Sequence, residues 1–426
     1  MNPAAASPTT PVPPVTSTFI VNVPWIGRYR GRLGAIRRDG STFGFVLRET
    51  LSSPNRGKGE LLSKAVSSLA LLALAACGGF KDPYVVGAAG PWKQGYGLQN
   101  LQGVQLAAEE INKAGGINGH PFQVITRDDD GDGTIAAKIA QEFVKNRKIS
   151  AVIGHVNSSG MLSAARVYDG ELSAVATSAT SPDLTGISSW VFRIISSDSL
   201  NGIALATFAN RFGTRSGPAT ASVIYENNTY GRGLADSFRR AFHGELLSLD
   251  PINADLPSAE PYIAYLKTRK PKIVFVAGRV GSGLKILQEA RRQGFNPVFV
   301  GGDGWQGIVS DTTAAEGAYI GMSFTPEDPS PAARAFVAAF EKKFGTPPDA
   351  HAALAYDATK LVAQALKERG PNRNGIRNYL HSLTRENAYA GLTGPAYFED
   401  TGDPVGMRFR VLRVHDGLLT TLVEGK

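Results

Sequence analysis

From Tyr84 onward the chain alternates short β-rich runs with stretches of helical periodicity, and it does so in two successive series. In the first series, Tyr84-Val-Val-Gly-Ala-Ala, Phe122-Gln-Val-Ile-Thr and Ala151-Val-Ile-Gly read as strands. Between them, Leu101, Val104, Ala108 and Ile111 recur at helical spacing up to the stop at Gly115-Gly116, and 135–146 forms a second helix. The second series has strands at 221–225, 272–277 and 298–300, with helices at 231–242 and 284–293. Strand–helix alternation of this kind demands parallel sheets covered on both faces. The expected fold class is therefore α/β, with two doubly wound, Rossmann-like lobes. In such folds ligands sit at the carboxyl ends of strands, beside helix N-termini, and two such units in one chain imply a cleft between them.

Composition excludes several classes. At 42% hydrophobic and 19% charged residues, the chain is neither wholly disordered nor a multi-span membrane protein. The net charge of +8 suggests an acidic partner until it is located. Residues 1–76 hold nine basic and three acidic residues, leaving 36 basic against 34 acidic, or +2, for residues 77–426. The folded part is nearly neutral, so no nucleic-acid partner is expected.

Cys77 is the single cysteine, which excludes an intramolecular disulfide and a Cys-based zinc site. Lys64 precedes an apolar run of 12 residues, 65–76, that ends in small residues. This is the layout of a secretory signal peptide, and the run is too short for a bilayer span of ~20 residues. Leu74-Ala75-Ala76-Cys77-Gly78 resembles a bacterial lipobox, so Cys77 is the expected lipidation site and 61–76 the lipoprotein signal peptide. The alternative is a chance buried helix with an unremarkable Cys. Residues 1–60, Pro-rich at the start and without sustained period, are expected to be disordered or a mis-annotated extension, with the true start near Leu61 or Leu62. The expected location is periplasm or cell surface, lipid-anchored to a bacterial membrane.

Several blocks, in order, resemble the type I periplasmic binding proteins for branched-chain amino acids. They are Gly90-Pro91, the segment from Gly103-Val-Gln-Leu-Ala-Ala-Glu-Glu to Gly119, Ala151-Val-Ile-Gly-His-Val-Asn-Ser-Ser159, Ser178-Ala-Thr-Ser-Pro-Asp-Leu-Thr185, Val191-Phe-Arg193, Tyr230-Gly231, Gln288-Glu-Ala-Arg-Arg-Gln-Gly294 and Gly301-Gly-Asp-Gly304. The resemblance implies two α/β lobes joined by three crossovers, expected near 193–195, Ser323 and Gly394. Lobe 1 would then be 82–194 plus 324–393, and lobe 2 would be 195–323 plus 394–426. It also implies a ligand trapped as the lobes close and delivered to ABC permease subunits. The alternative function is a regulatory or sensory lipoprotein on the same fold, which a kinase or cell-wall synthase gene nearby would favour over a permease gene.

The candidate ligand residues have chemistry of their own. Ser158-Ser159-Gly160 follows a strand and opens an apolar-periodic segment, so free N–H groups and a hydroxyl there suit a carboxylate. The competing reading is that Ser158 or Ser159 merely caps its own helix. By the resemblance, Thr180 holds the ligand's carboxylate and amine, and Ser178 contributes its backbone carbonyl. Thr180 could instead be a turn residue before Ser181-Pro182. Asp303, after the strand 298–300, would pair with the ligand's ammonium, or serve only an Asp-Gly turn. Tyr230 matches a pocket aromatic. Trp92 and Tyr96 lie in the first loop, whose length does not say which one faces the ligand. Arg279 stands where many amino-acid binders carry Tyr. It would favour a ligand with an extra acceptor or carboxylate, or else lie solvated at the rim.

No cofactor, metal or catalytic residue is expected. Asp128-Asp129-Asp130-Gly131-Asp132-Gly133 begins like a calcium loop, but Ile139 occupies the position that should be Glu. The six His lack metal-ligand spacing, and no Ser-His-Asp set declares itself.

Overall fold

The computed structural model describes residues 81–213 and 217–421. The signal-like segment and Cys77, with the lipidation expected there, lie outside the described residues. Described from Tyr84, the first series runs β1 (Tyr84–Gly90), α1 (Gly95–Lys113), β2 (Phe122–Asp128), α2 (Gly133–Lys145), β3 (Ile149–Gly154), α3 (Ser158–Tyr168), β4 (Ala174–Ala176) and β5 (Val191–Arg193). Its sheet is parallel throughout, in the order β2-β1-β3-β4-β5. The second series runs α4 (Asp198–Asn210), β6 (Thr220–Glu226), α5 (Thr229–Ala241), β7 (Glu245–Ile252), α6 (Glu260–Arg269), β8 (Ile273–Ala277), α7 (Val280–Arg292), β9 (Val298–Gly301), α8 (Thr312–Ala315) and β10 (Tyr319–Met322).

The chain then forms α9 (Pro331–Phe344), α10 (Ala350–Arg369) and α11 (Arg373–His381), followed by the short strands β11 (Tyr389–Gly391), β12 (Gly394–Phe398) and β13 (Pro404–Val405). It ends in β14 (Arg410–His415) and β15 (Leu418–Thr421), which extend the second sheet antiparallel to β10. That sheet has the order β15-β14-β10-β9-β8-β6-β7. Strand order reverses between β1 and β3 in one sheet and between β6 and β8 in the other. Each reversal opens a crevice at the strands' carboxyl ends.

Burial explains the elements. Every residue of β3 and β8 is buried, as expected of parallel strands covered on both faces. Val86, Ile153, Val175 and Phe192 pack with Leu361 and Val362 of α10 on one face of the first sheet. Val85 and Val152 pack with Phe143 and Met161 on the other. A segment from late in the sequence therefore completes the first lobe, so neither lobe is one continuous stretch. Gly103 makes this packing possible: a Cβ there would lie 2.1 Å from the Ala352 carbonyl oxygen, so only glycine lets α1 and α10 approach so closely.

The chain passes between lobes at 196–197, just after Ile194 and Ile195 of the first lobe's core, and again at 323. Met322 belongs to the second lobe's core, whereas Phe324 packs with Leu106 and Phe336 of the first. The third passage differs from the expectation near Gly394. Ala396 and Phe398 of β12 are buried in the first lobe's core beside Phe192, and the Arg193 N–H donates to the Gly402 carbonyl. The crossing therefore falls at 406–409, after the small β11-β12-β13 sheet. The alternating burial of β12 marks a half-buried strand, but nothing local says which lobe buries it.

Candidate functional site

Five of the residues singled out from sequence follow the carboxyl ends of parallel strands: Ser158 after β3, Ser178 after β4, Tyr230 after β6, Arg279 after β8 and Asp303 after β9. They converge on one cavity, which Tyr96 also lines. Residues from both lobes form its walls.

The first lobe supplies donors. Asn157 is the N-cap of α3, but its side chain makes no capping bond; its Nδ2 donates instead to the Tyr96 hydroxyl at 3.0 Å. The first turn of α3 thus presents N–H groups with no side-chain cap, in a buried setting that suits an anion. Ser158 Oγ accepts from the Ser181 N–H at 3.2 Å, which leaves its own proton to donate. Ser158 is the first residue of α3 and not its cap, since the N-cap position is held by Asn157. The Ser178 hydroxyl is buried with no partner among the described residues.

The second lobe supplies the opposite charge. Asp303 Oδ1 accepts from the Tyr230 hydroxyl at 2.8 Å, and that hydroxyl accepts from the Gly304 N–H at 2.9 Å. Burial raises the Asp303 carboxyl above its ordinary range, against the opposing pull of the Tyr230 bond and of His351. Asp198, fully buried in the first turn of α4, lies well above its range through burial first and the charge of Asp303 second. An ammonium entering here would relieve both effects.

Two candidates stand apart from the cavity wall. Thr180 is fully buried and its hydroxyl donates to Asp198 Oδ2 at 2.8 Å, so its side chain orients the acid rather than facing the cavity. Trp92 packs against the first lobe's core, which leaves Tyr96 as the first-loop aromatic at the site. Arg279 is both lining and partly solvated, with a quarter of its side chain exposed. Its guanidinium carbon lies 5.5 Å from the Tyr96 ring centre and 5.6 Å from that of Tyr230, one ring from each lobe.

Sequence reasoning missed Asn157, Gln306 and His351, which also line the cavity. His351 opens α10, its ring 5.4 Å from that of Tyr96, and Gln306 Oε1 accepts from the Ala350 N–H at 3.4 Å across the two lobes. No motif marks them; chain return after the second crossing brings α10 to the site. Glu226 was missed as well, although an acid closing a buried strand is a visible signal.

The other acids and histidines are engaged elsewhere. Asp132 caps α2, Asp129 accepts from the Gly131 N–H, and His155 is buried between Asp129 at 2.7 Å and the Tyr168 hydroxyl at 3.1 Å. Glu316, His415 and Asp416 place ligand-type atoms within 4.8 Å of one another at the surface. There Glu316 already accepts from the His415 ring and the Asp416 N–H.

The family model for periplasmic binding proteins matches residues 84–417. A Leu-, Ile-, Val-, Thr- and Ala-binding protein of Pseudomonas aeruginosa is 27% identical over 86% of this chain and 99% of its own length. The branched-chain amino acid transporter substrate-binding protein LivJ of Streptococcus pneumoniae, solved with isoleucine, superposes with a TM-score of 0.73 at 26% identity. That match covers 79% of this chain and 98% of that one. A solute-binding protein of Rhodopseudomonas palustris, solved with 3,4-dihydroxybenzoic acid, shares the fold with a TM-score of 0.71 at 22% identity, over 80% of this chain and 96% of that one.

Proposed function

The chain belongs to the periplasmic binding proteins, whose members are solute-binding transport proteins rather than enzymes, and on that premise we propose that it captures an amino acid or similar small zwitterion and delivers it to an ABC importer. The observation that carries this reading is the polarity of the cavity. An uncapped helix N-terminus with the Ser158 and Ser178 hydroxyls stands on one lobe, and the half-buried Asp303 with Tyr230 on the other. A carboxylate on the first and an ammonium on the second match a free amino acid end to end. A benzoate-type acid, which the Rhodopseudomonas palustris protein carries, would satisfy the first half and leave Asp303 without a cation. Thr180 serves by fixing Asp198, and the lobes close by hinge motion about the three crossings.

Cys77 is the proposed lipid attachment, holding the protein to the membrane outside the cytoplasm. Mass spectrometry of the membrane-extracted protein tests it, since a Cys77→Ser variant should lose the acyl mass. The solute reading is tested by thermal shift with amino acids, benzoate and small amides. Amino acids should stabilise the protein, and stabilisation by benzoate alone would overturn the zwitterion assignment.

A further inference from the structure

The charge on Arg279 is matched from within its own lobe. Glu226, 1% exposed at the end of β6, receives the Arg279 backbone N–H on Oε1 at 2.8 Å and the guanidinium Nη1 on Oε2 at 3.1 Å. It also accepts from Ser282 Oγ at 2.8 Å and Asn228 Nδ2 at 2.9 Å. Four donors on two oxygens make Glu226 a fixed, saturated counter-ion. The rings of Tyr96 and Tyr230 lie against the guanidinium. Among the described residues no acceptor is bonded to its Nε or Nη2, so one edge of the fork remains unpaired. Arg279 borders both the inner cavity and the mouth outside it, and that mouth is also lined by Glu226 and Ser282.

An arginine with no counter-ion would call for a ligand carboxylate. Here Glu226 cancels the cation, and Asp303 lines the same cavity. A second ligand carboxylate would enter among acids, and the two basic side chains of the lining, Arg279 and His351, already have Glu226 at 3.1 Å and Asp349 at 3.3 Å beside them. An aliphatic side chain would cover the free N–H edge and leave it without a partner, which costs more than the bond itself contributes. A neutral acceptor avoids both penalties. We propose that the cavity selects amino acids whose side chain ends in a neutral acceptor, a carboxamide foremost. Arg279 is the specificity-determining residue, and Glu226 positions it and sets it against acidic side chains. This rests on the amino-acid reading of the site.

Calorimetric titration of the wild-type chain with glutamine, asparagine, leucine, glutamate and benzoate tests it, alongside Arg279→Leu and Glu226→Gln. The better of the two amides should bind wild type at least about tenfold tighter than leucine or glutamate, as when a site built to hydrogen-bond rejects the analogue lacking that group. Arg279→Leu should abolish that preference in favour of leucine. Glu226→Gln keeps the shape but releases the arginine's charge, and should shift the glutamate-to-glutamine affinity ratio about tenfold towards glutamate. Wild-type preference for leucine, or an unchanged ratio in Glu226→Gln, overturns the selectivity assignment while leaving amino-acid capture intact. Binding of benzoate with no amino acid bound overturns both, so the two failures are distinguishable. The wild-type selectivity decides even where a variant fails to fold.

Discussion

Asp303 carries a conflict between stability and binding. Burial holds its carboxyl, and that of Asp198 beside it, above the ordinary 3.8. Between about pH 4 and those raised values the folded, unliganded protein keeps protons that the unfolded chain has released. Its stability should therefore fall as pH rises through that window. Ligand affinity should move the other way, because pairing with an ammonium requires the ionised Asp303; it should rise over the same window and level off above it. Asp303→Asn removes the conflict. In urea melts at pH 7 the unliganded variant should be at least as stable as wild type, while calorimetry should show amino-acid affinity weakened by about 2–5 kcal/mol, the usual effect of truncating a buried charge pair. A variant that binds as tightly as wild type would show that the acid does not face the ammonium. That Asp303 and Ser158 would line the cavity was legible in sequence because each lies in the connection after a parallel strand, where ligands sit in this fold class. The placement of Thr180 behind Asp198 was not, because whether a buried hydroxyl faces a cavity or an acid is decided by tertiary packing.

The β11–β12 hairpin shows how far element-level reading extends. The long parallel strands and amphipathic helices are strongly periodic, and the chain folds them where that periodicity lies. The hairpin is short, and its place is fixed by one distant residue: Asp357 of α10. This carboxylate accepts from the Leu392 N–H at 3.0 Å, the Thr393 N–H at 2.9 Å and the Thr393 hydroxyl at 2.7 Å. No local pattern announces such an anchor, which is why the third crossing could be misplaced by a dozen residues. Burial, opposed by those Thr393 and Leu392 bonds, raises the Asp357 carboxyl to about 6. Asp357→Ala takes the acceptor from four donors, the Tyr389 hydroxyl and the Leu392 N–H, both part-buried, and the buried Thr393 N–H and hydroxyl; it should destabilise the protein by about 2–4 kcal/mol, given about 1–3 for each of the two buried groups and some relaxation. Asp357→Asn, which keeps one acceptor oxygen, should cost less. Urea denaturation of the pair measures the difference, and equal losses would mean that the hydrogen bonds are not what holds the hairpin.

At the scale of the whole molecule, the lobes are coupled through their connections as well as through ligand. Arg193, 2% exposed at the end of β5, stands just before the first crossing; its Nε donates to Asp403 Oδ1 at 2.7 Å, just before the third. The same guanidinium donates to the Ser181 carbonyl at 2.8 Å and the Thr185 hydroxyl at 2.6 Å. Ser181 in turn donates its N–H to Ser158, so one buried cation ties two crossings to the loop that supports the anion end of the cavity. In the proposed closure the chain bends at these connections, and a hinge works only if the segments beside it stay rigid. Arg193→Met leaves Asp403 without its buried partner and should cost about 3–5 kcal/mol in unfolding free energy. It should also impair capture at a site it does not line. Wild type at 100 times the dissociation constant should gain about 2.7 kcal/mol of stability from ligand. Arg193→Met at the same ligand concentration should gain less, because part of the binding energy is consumed in ordering the 177–181 loop and the crossing. Small-angle scattering separates the two roles. Ligand should compact wild type and Asp357→Ala alike, while Arg193→Met should require more ligand to reach the same compact form. If Arg193→Met proved less stable yet closed at the wild-type ligand concentration, the ion pair would be a structural clamp with no part in coupling the hinge to the cavity.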